Sequence, residues 1–444
     1  MILLSILLSV SILTTHPLLS EANIGVDVRD LKTGEVVEQY RSDNVIPPAS
    51  VMKLLTTSCA LEVLGEGFRF ETALQWDDTN LYIVGSADPS LSASVESEFV
   101  RAVREAGIQR IPGRVVADMS CLSADATNPA WLYEDVSNYY APGIFGINYL
   151  SNTMNIVLRS GELGGVAEVL RTEPSIPGLQ FSNHIRCTQI TMDGAAVHGL
   201  PFSSERFLTG AIPSKQGAFC IRGDIPNPGL LLAQRLTRAL RNAGISVEKD
   251  ADYTLSRRSN PSQTIHTHRS DTLAALVRET NVNSNNLYAE SIFRYLATRY
   301  STPGTIAHSQ DFIRDFWQMR IPSLRGARIL DGCGLAPQDA VSPSQFVTLL
   351  RYMDSSIHHD AWWASLPVSG QSGTLRSLGA GTALQGRVWA KSGTISGTKN
   401  YAGYMRAASG RMLVFCVMVN SAACRCKQIQ AVIQNYLLDL YRTH

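Results

Sequence analysis

A serine and a lysine three residues apart, Ser50 and Lys53, open an apolar helical segment, ASVMKLLTTSCALEVLG. Leu54, Leu55, Cys59, Leu61, Val63 and Leu64 cover most faces of that segment, which predicts a buried helix ending near Gly65. A lysine carried on such a helix is buried with it, and burial favours the neutral amine. Positions i and i+3 share a helix face, so the amine reaches the serine hydroxyl and can take its proton. At the helix start the Ser50 N–H is free and the helix dipole favours developing negative charge. The fold therefore has to bury this helix while leaving Ser50 reachable.

The S-x-x-K pattern alone is weak evidence, because it occurs three times in the chain. Ser246–Lys249 follows a helix end and runs into a polar, strand-like stretch; Ser396–Lys399 lies in a glycine-bearing turn between strands. Two further patterns also come in pairs. S-x-N occurs at Ser42-Asp43-Asn44, a polar loop, and at Ser284-Asn285-Asn286, where a helix is expected to begin with Ser284 as its N-cap. K-[ST]-G occurs at Lys32-Thr33-Gly34, which is hairpin-turn chemistry, and at Lys391-Ser392-Gly393, at the end of the strand GRVWAKSGT. Small residues there let a substrate backbone approach closely. The copies on regular elements run in the order Ser50–Lys53, Ser284–Asn286, Lys391–Gly393. The plain reading of each isolated motif is a helix cap or a surface lysine; the ordered set is far more specific.

Composition narrows the class. Of 444 residues 45% are hydrophobic and 17% charged, which describes a packed globular protein of two or three domains. The formal net charge of +1 gives no basic field for nucleic acid. The opening MILLSILLSVSILTTHPLLSEA has the length and polar ending of a secretory leader, so residues 1–22 are expected to be a signal peptide and the mature protein periplasmic or secreted. RMLVFCVMVN (411–420) is too short to cross a bilayer and is expected as a buried strand. The eight cysteines are sparse for a disulfide scaffold, and neither a C-x-x-C pair nor a nearby histidine suggests zinc; no metal or cofactor is expected.

Along the chain, residues 24–40 alternate as a hairpin, and residues 80–265 carry short strand-like stretches separated by Gly, Pro, Asn and Ser, with one long helix at 230–244. Amphipathic helices return after about residue 270, and the chain ends in strands and a last helix. The expectation is a mixed α+β (α/β) protein: one discontinuous catalytic domain, 23–79 and 266–444, split by a strand-rich insertion, 80–265, of two subdomains. Loop closure costs grow only logarithmically, so a long folded insertion is tolerable if its ends meet.

The motif order resembles that of penicillin-binding proteins and active-site serine β-lactamases. More than two hundred residues between Ser50 and Ser284 resemble the D-alanyl-D-alanine carboxypeptidase/endopeptidase family, the class C low-molecular-mass penicillin-binding proteins. There an insertion splits the transpeptidase-like domain after the nucleophile helix. PPASVMKLLTT (47–57), GSADPSL (85–91), IPNPG (225–229), NVNSNNLYAE (281–290), DGCGL (331–335), LPVSGQSGTLR (366–376) and AKSGTISGTKNYAGY (390–404) look like that family. Cys333 departs from its usual small residue and Ser392 from its commoner threonine.

The resemblance implies a serine peptidase acting on peptidoglycan stem peptides, acylated by β-lactams, without a cofactor, and compatible with peripheral attachment to membrane or wall. It implies Ser50 as nucleophile and Lys53 as its base, with Ser284 and Asn286 passing a proton to the leaving amine and orienting the substrate. Lys391, Ser392 and Thr394 would hold the terminal carboxylate beside Gly393, and the N–H groups of Ser50 and Thr394 would form the oxyanion hole. A β-lactamase or esterase on the same scaffold, or a catalytically silent wall-binding protein, stays open as an alternative.

Overall fold

The computed structural model describes residues 9–259 and 262–444. By its contacts the chain forms two units: residues 1–68, 272–296 and 307–444, and residues 69–271 with 297–306.

The first unit is built on a five-stranded antiparallel sheet. Its strands are β1 (Asn23–Asp30), β2 (Val36–Tyr40), β3 (Val388–Ile395), β4 (Thr398–Arg406) and β5 (Met412–Asn420), in the order β3-β4-β5-β1-β2. The two ends of the chain meet at its centre, where Asn23 pairs with Asn420 and Asp30 with Leu413. β5 is apolar at nearly every position because both of its faces are covered. Leu413, Phe415, Val417 and Val419 join Ile24, Val26 and Val28 in a core closed by Ile429, Ile433, Tyr436, Leu437 and Leu440 of the last helix, Cys426–Thr443. Val414, Cys416 and Met418 are equally buried on the opposite face.

The helices that complete this unit are α1 (Lys53–Leu64), α2 (Leu273–Asn283), α3 (Asn286–Leu296), α4 (Ile306–Arg320), α5 (Pro343–Asp354), α6 (His359–Ser365) and α7 (Cys426–Thr443). Gly65, at φ 80°, ends α1 where the sequence places its stop. Ser342 and Gln345 cap the start of α5 reciprocally. From α4, Trp317 donates to the Leu55 carbonyl of α1 at 3.0 Å. Tyr404 of β4 ties the sheet to two helices: its hydroxyl accepts from Trp362 (2.9 Å) and donates to Leu350 O (2.7 Å).

Residues 9–22, expected within a leader, pack onto this core. Leu13 and Leu19 are fully enclosed, the Val10 N–H donates to Glu38 (2.6 Å), and Ser9 Oγ donates to Asp439 (2.7 Å). Cleavage after residue 22 would remove these contacts. Among the described residues, no helix is long and apolar enough to cross a membrane.

The second unit contains a five-stranded mixed sheet, a three-stranded and a four-stranded sheet, and a two-stranded pair. In the mixed sheet Glu71–Trp76 pairs antiparallel with both Leu81–Val84 and Gln263–Arg269. Residues 69–79 and 266–271 therefore cluster with this unit, beyond the expected borders at 80 and 265. Its long helix, expected at 230–244, spans Pro228–Asn242; a second, Ser94–Glu105, escaped the sequence reading. All eight cysteines are free.

Candidate active site

Ser50 lies in a 3₁₀ turn, Ala49–Met52, that leads into α1. The turn places i and i+3 nearly eclipsed, and Lys53 Nζ lies 3.0 Å from Ser50 Oγ. The first bond of the turn runs from the Val51 N–H to Pro48 O (3.3 Å), so the Ser50 N–H precedes it without an intrahelical acceptor. Lys53 has no exposed surface. Its Nζ also meets Asn286 Oδ1 (2.6 Å) and the Cys333 carbonyl (2.7 Å). Burial pulls its pKa below the ordinary lysine value, against the opposing pull of Cys333, Asp331 and Glu290.

Ser284 does not begin a helix. It is the C-cap of α2, in the left-handed region at φ 58°, ψ 40°, while Asn285 takes the N-cap role for α3 by accepting from the Tyr288 N–H (3.3 Å). Two helices abut with a single reversal between them. That reversal leaves the Ser284 hydroxyl on Lys391, 2.9 Å from its Nζ, and sets Asn286, the first residue of α3, on Lys53.

Lys391 is fully enclosed in β3 and also donates to Ser392 O (2.8 Å). Burial, then the positive charges of Lys53 and Lys399, hold its pKa well below the usual lysine range. Gly393 is required here: a Cβ would strike Pro48 O and come within 3.2 Å of the Ser50 amide nitrogen. The strand thus passes close against the nucleophile's turn. Ser392 is buried, and Thr394 Oγ1 accepts from Lys399 Nζ at 2.8 Å.

Behind Lys53 stands a network that sequence reasoning did not assign. Asp331 accepts from four backbone N–H groups, those of Cys333 (3.1 Å), Gly334 (2.5 Å), Leu335 (2.9 Å) and Ala336 (2.8 Å). Glu290 of α3 accepts from the Gly332 N–H (2.6 Å), and Thr56 of α1 donates to Gly332 O (2.8 Å). Together they hold the loop whose Cys333 carbonyl meets Lys53. Burial, then Asp331, pushes the Glu290 carboxyl up to about 8. Burial also raises the Cys333 thiol well above its ordinary range. The segments DGCGL and NNLYAE carried the available signal: an acid beside glycines, and an acid on a helix's apolar face.

The duplicate motifs lie away from Ser50, except that Lys399 of the third S-x-x-K reaches Thr394. Gly34, at φ 78°, turns the β1–β2 hairpin; Asp43 accepts from Ser344; Ser246 begins a short strand; Ser396 sits in the β3–β4 turn. The structure brings together Ser50, Lys53, Ser284, Asn286, Lys391, Ser392, Gly393 and Thr394.

Comparison with known proteins gives one consistent picture. The profile of the D-Ala-D-Ala carboxypeptidase 3 (S13) family matches residues 7–438. The D-alanyl-D-alanine carboxypeptidase of Actinomadura sp. (strain R39) is 27% identical over 440 residues, covering 91% of this chain and 79% of that protein. The D-alanyl-D-alanine carboxypeptidase DacB of Haemophilus influenzae is 23% identical over 418 residues, covering 91% and 87%. Among solved structures, penicillin binding protein 4 (dacB) of Haemophilus influenzae superposes with a TM-score of 0.86 at 22% identity, covering 98% of this chain and 99% of that one. A predatory peptidoglycan endopeptidase of Bdellovibrio bacteriovorus, Bd3459, superposes with a TM-score of 0.54 at 14% identity, covering 95% and 93%.

Proposed function

Since the chain belongs to the D-Ala-D-Ala carboxypeptidase S13 family, we propose that it is a serine peptidase that removes the terminal D-alanine of peptidoglycan stem peptides through an acyl-enzyme. The observation that carries this reading is the contact of Ser50 Oγ with Lys53 Nζ at 3.0 Å, with the lysine wholly buried.

Neutral Lys53 takes the Ser50 proton as Oγ attacks the carbonyl of the penultimate D-alanine. The N–H groups of Ser50 and Thr394 receive the oxyanion. The C–N bond then breaks, and the leaving amine takes a proton passed from Lys53 through Ser284, which Lys391 holds at 2.9 Å. Asn286, on Lys53, orients the acyl side of the substrate. Lys391, Ser392 and Thr394 bind the departing residue's carboxylate. Water attacks the ester as Lys53 takes its proton; the ester C–O bond then breaks, and Lys53 passes that proton to the Ser50 oxygen, restoring both groups.

A strained lactam with a carboxylate presents the same two features to Ser50 and β3, so β-lactams are expected to acylate the enzyme. A penicillin binding protein of the same fold has been solved in complex with a β-lactam, which supports this. The substrate places the enzyme in the periplasm or outside the cell. The groups named above all belong to the first unit.

Digestion of purified muropeptides with mass-spectrometric readout tests the proposal. The expected product is a stem peptide shortened by one D-alanine; opening of cross-links would add endopeptidase activity. Intact muropeptides together with rapid release of hydrolysed penicillin would favour a β-lactamase.

A further inference from the structure

Lys399, set aside in the sequence as part of a duplicate S-x-x-K, stands in the ladder directly opposite Thr394. Its side chain is largely buried, 9% exposed, and its ammonium reaches across to Thr394 Oγ1 at 2.8 Å. Its Nζ lies 5.3 Å from the centre of the Tyr401 ring. A lysine ammonium only donates. The Thr394 oxygen is therefore the acceptor, and its own O–H is left to donate elsewhere, from the strand proposed to hold the substrate carboxylate.

The charge balance points the same way. Lys53 has the carboxyl groups of Asp331 and Glu290 among its neighbours, but the groups acting on Lys391 are two further lysines, Lys53 and Lys399. Among the described residues, the hydrogen-bond partners of Lys391 and Lys399 are hydroxyls and a carbonyl. Two buried lysine amines thus flank Ser392 and Thr394 without a carboxylate between them, and burial lowers the pKa of both. Buried charges are ordinarily paired, and an incoming anion would supply the partner.

We infer that Lys399 is a specificity-determining residue, a role that rests on the peptidase reading: it orients the Thr394 hydroxyl and, with Lys391, selects acyl donors that end in a free carboxylate. It is a positioning residue that acts through Thr394 and through its field, and it takes no proton in the reaction.

The test compares Ser50 acylation by benzylpenicillin and by its methyl ester, which lacks the negative charge. Wild-type protein should prefer the acid. Lys399→Met should slow acylation by the acid about ten- to a hundredfold, as loss of a charge-assisted contact would, and by the ester less than about threefold. Lys399→Arg should restore the preference. Thr394→Val, nearly isosteric, should shrink the same acid-to-ester ratio, and it answers the question if Lys399→Met does not fold. An unchanged ratio in Lys399→Met, or in its stead in Thr394→Val, overturns the inference, whether the two rates hold or fall together. Wild-type protein that accepts neither probe on Ser50 would instead overturn the peptidase reading, and this role with it.

Discussion

Lys53 Nζ lies 2.6 Å from Asn286 Oδ1, joining residues 233 positions apart in the chain. The contact couples the nucleophile's helix to the start of α3, while Lys391 on Ser284 ties β3 to the turn just before α3. The site depends on this long-range assembly.

Lys391 is expected to matter where its textual duplicate does not. Lys391→Ala should cost roughly 1.5–3 kcal/mol in acylation, about ten- to a hundredfold, through loss of a charge-assisted contact. Lys32→Ala, in the β1–β2 turn, should change the rate little. Second-order acylation rates with a penicillin decide this, and equal effects would show that the wrong motif was chosen.

Glu290 should make stability pH-dependent. Its folded-state pKa is raised from 4.5 to about 8 by burial and by Asp331. Between those values the folded protein holds a proton that the unfolded chain has released. Stability is therefore fully present below about 4.5 and falls as pH rises through about 8. Asp339, also buried and raised, contributes with the same sign, while Lys53 opposes the shift of Glu290. Glu290→Gln keeps an oxygen for the Gly332 N–H and should flatten the decline. Melting temperatures of the two proteins at pH 5 and pH 8.5 measure it; parallel profiles would contradict it.

Removing residues 1–22 should destabilise the first unit. Leu13 and Leu19 are fully enclosed, and each such side chain is worth about 1.5–3 kcal/mol of burial. The acceptor Glu38 Oε1 would also lose the Val10 N–H. A chain starting at Asn23 should melt below one starting at Ser9, and equal melting temperatures would show that the segment contributes nothing.

What was legible in the sequence followed from local pattern. α1 and β5 were readable because apolar residues on most faces signal burial, and Gly65 marked the helix end. The ordered motifs identified Ser50, Lys53, Ser284, Asn286 and Lys391 as candidates. Non-local features were not readable. Ser284 read as an N-cap because nothing nearby reveals that α2 runs up to it in place of a loop. Pairing of Glu71–Trp76 with Gln263–Arg269 spans most of the second unit, so the borders drawn from local texture fell inside its sheet. The helix Ser94–Glu105 did carry a helical period, at Val95, Phe99, Ala102 and Val103, and was obscured by its strand-like surroundings. Residues 9–22 have the texture of a leader, and their contacts with α7 and Glu38 in the full chain were not readable from it. Glu290 and Asp331 stand in segments the sequence singled out, NNLYAE and DGCGL, but only the fold, which buries them behind Lys53, reveals their role.

The central claim is that Ser50, and no other serine, forms the acyl-enzyme. Purified protein treated with benzylpenicillin and mapped by peptide mass spectrometry tests it directly. The adduct should appear on the peptide containing Ser50, vanish in Ser50→Ala with the protein still folded, and persist in Ser246→Ala and Ser396→Ala. An adduct on any peptide lacking Ser50, or one that survives in Ser50→Ala, would contradict the account.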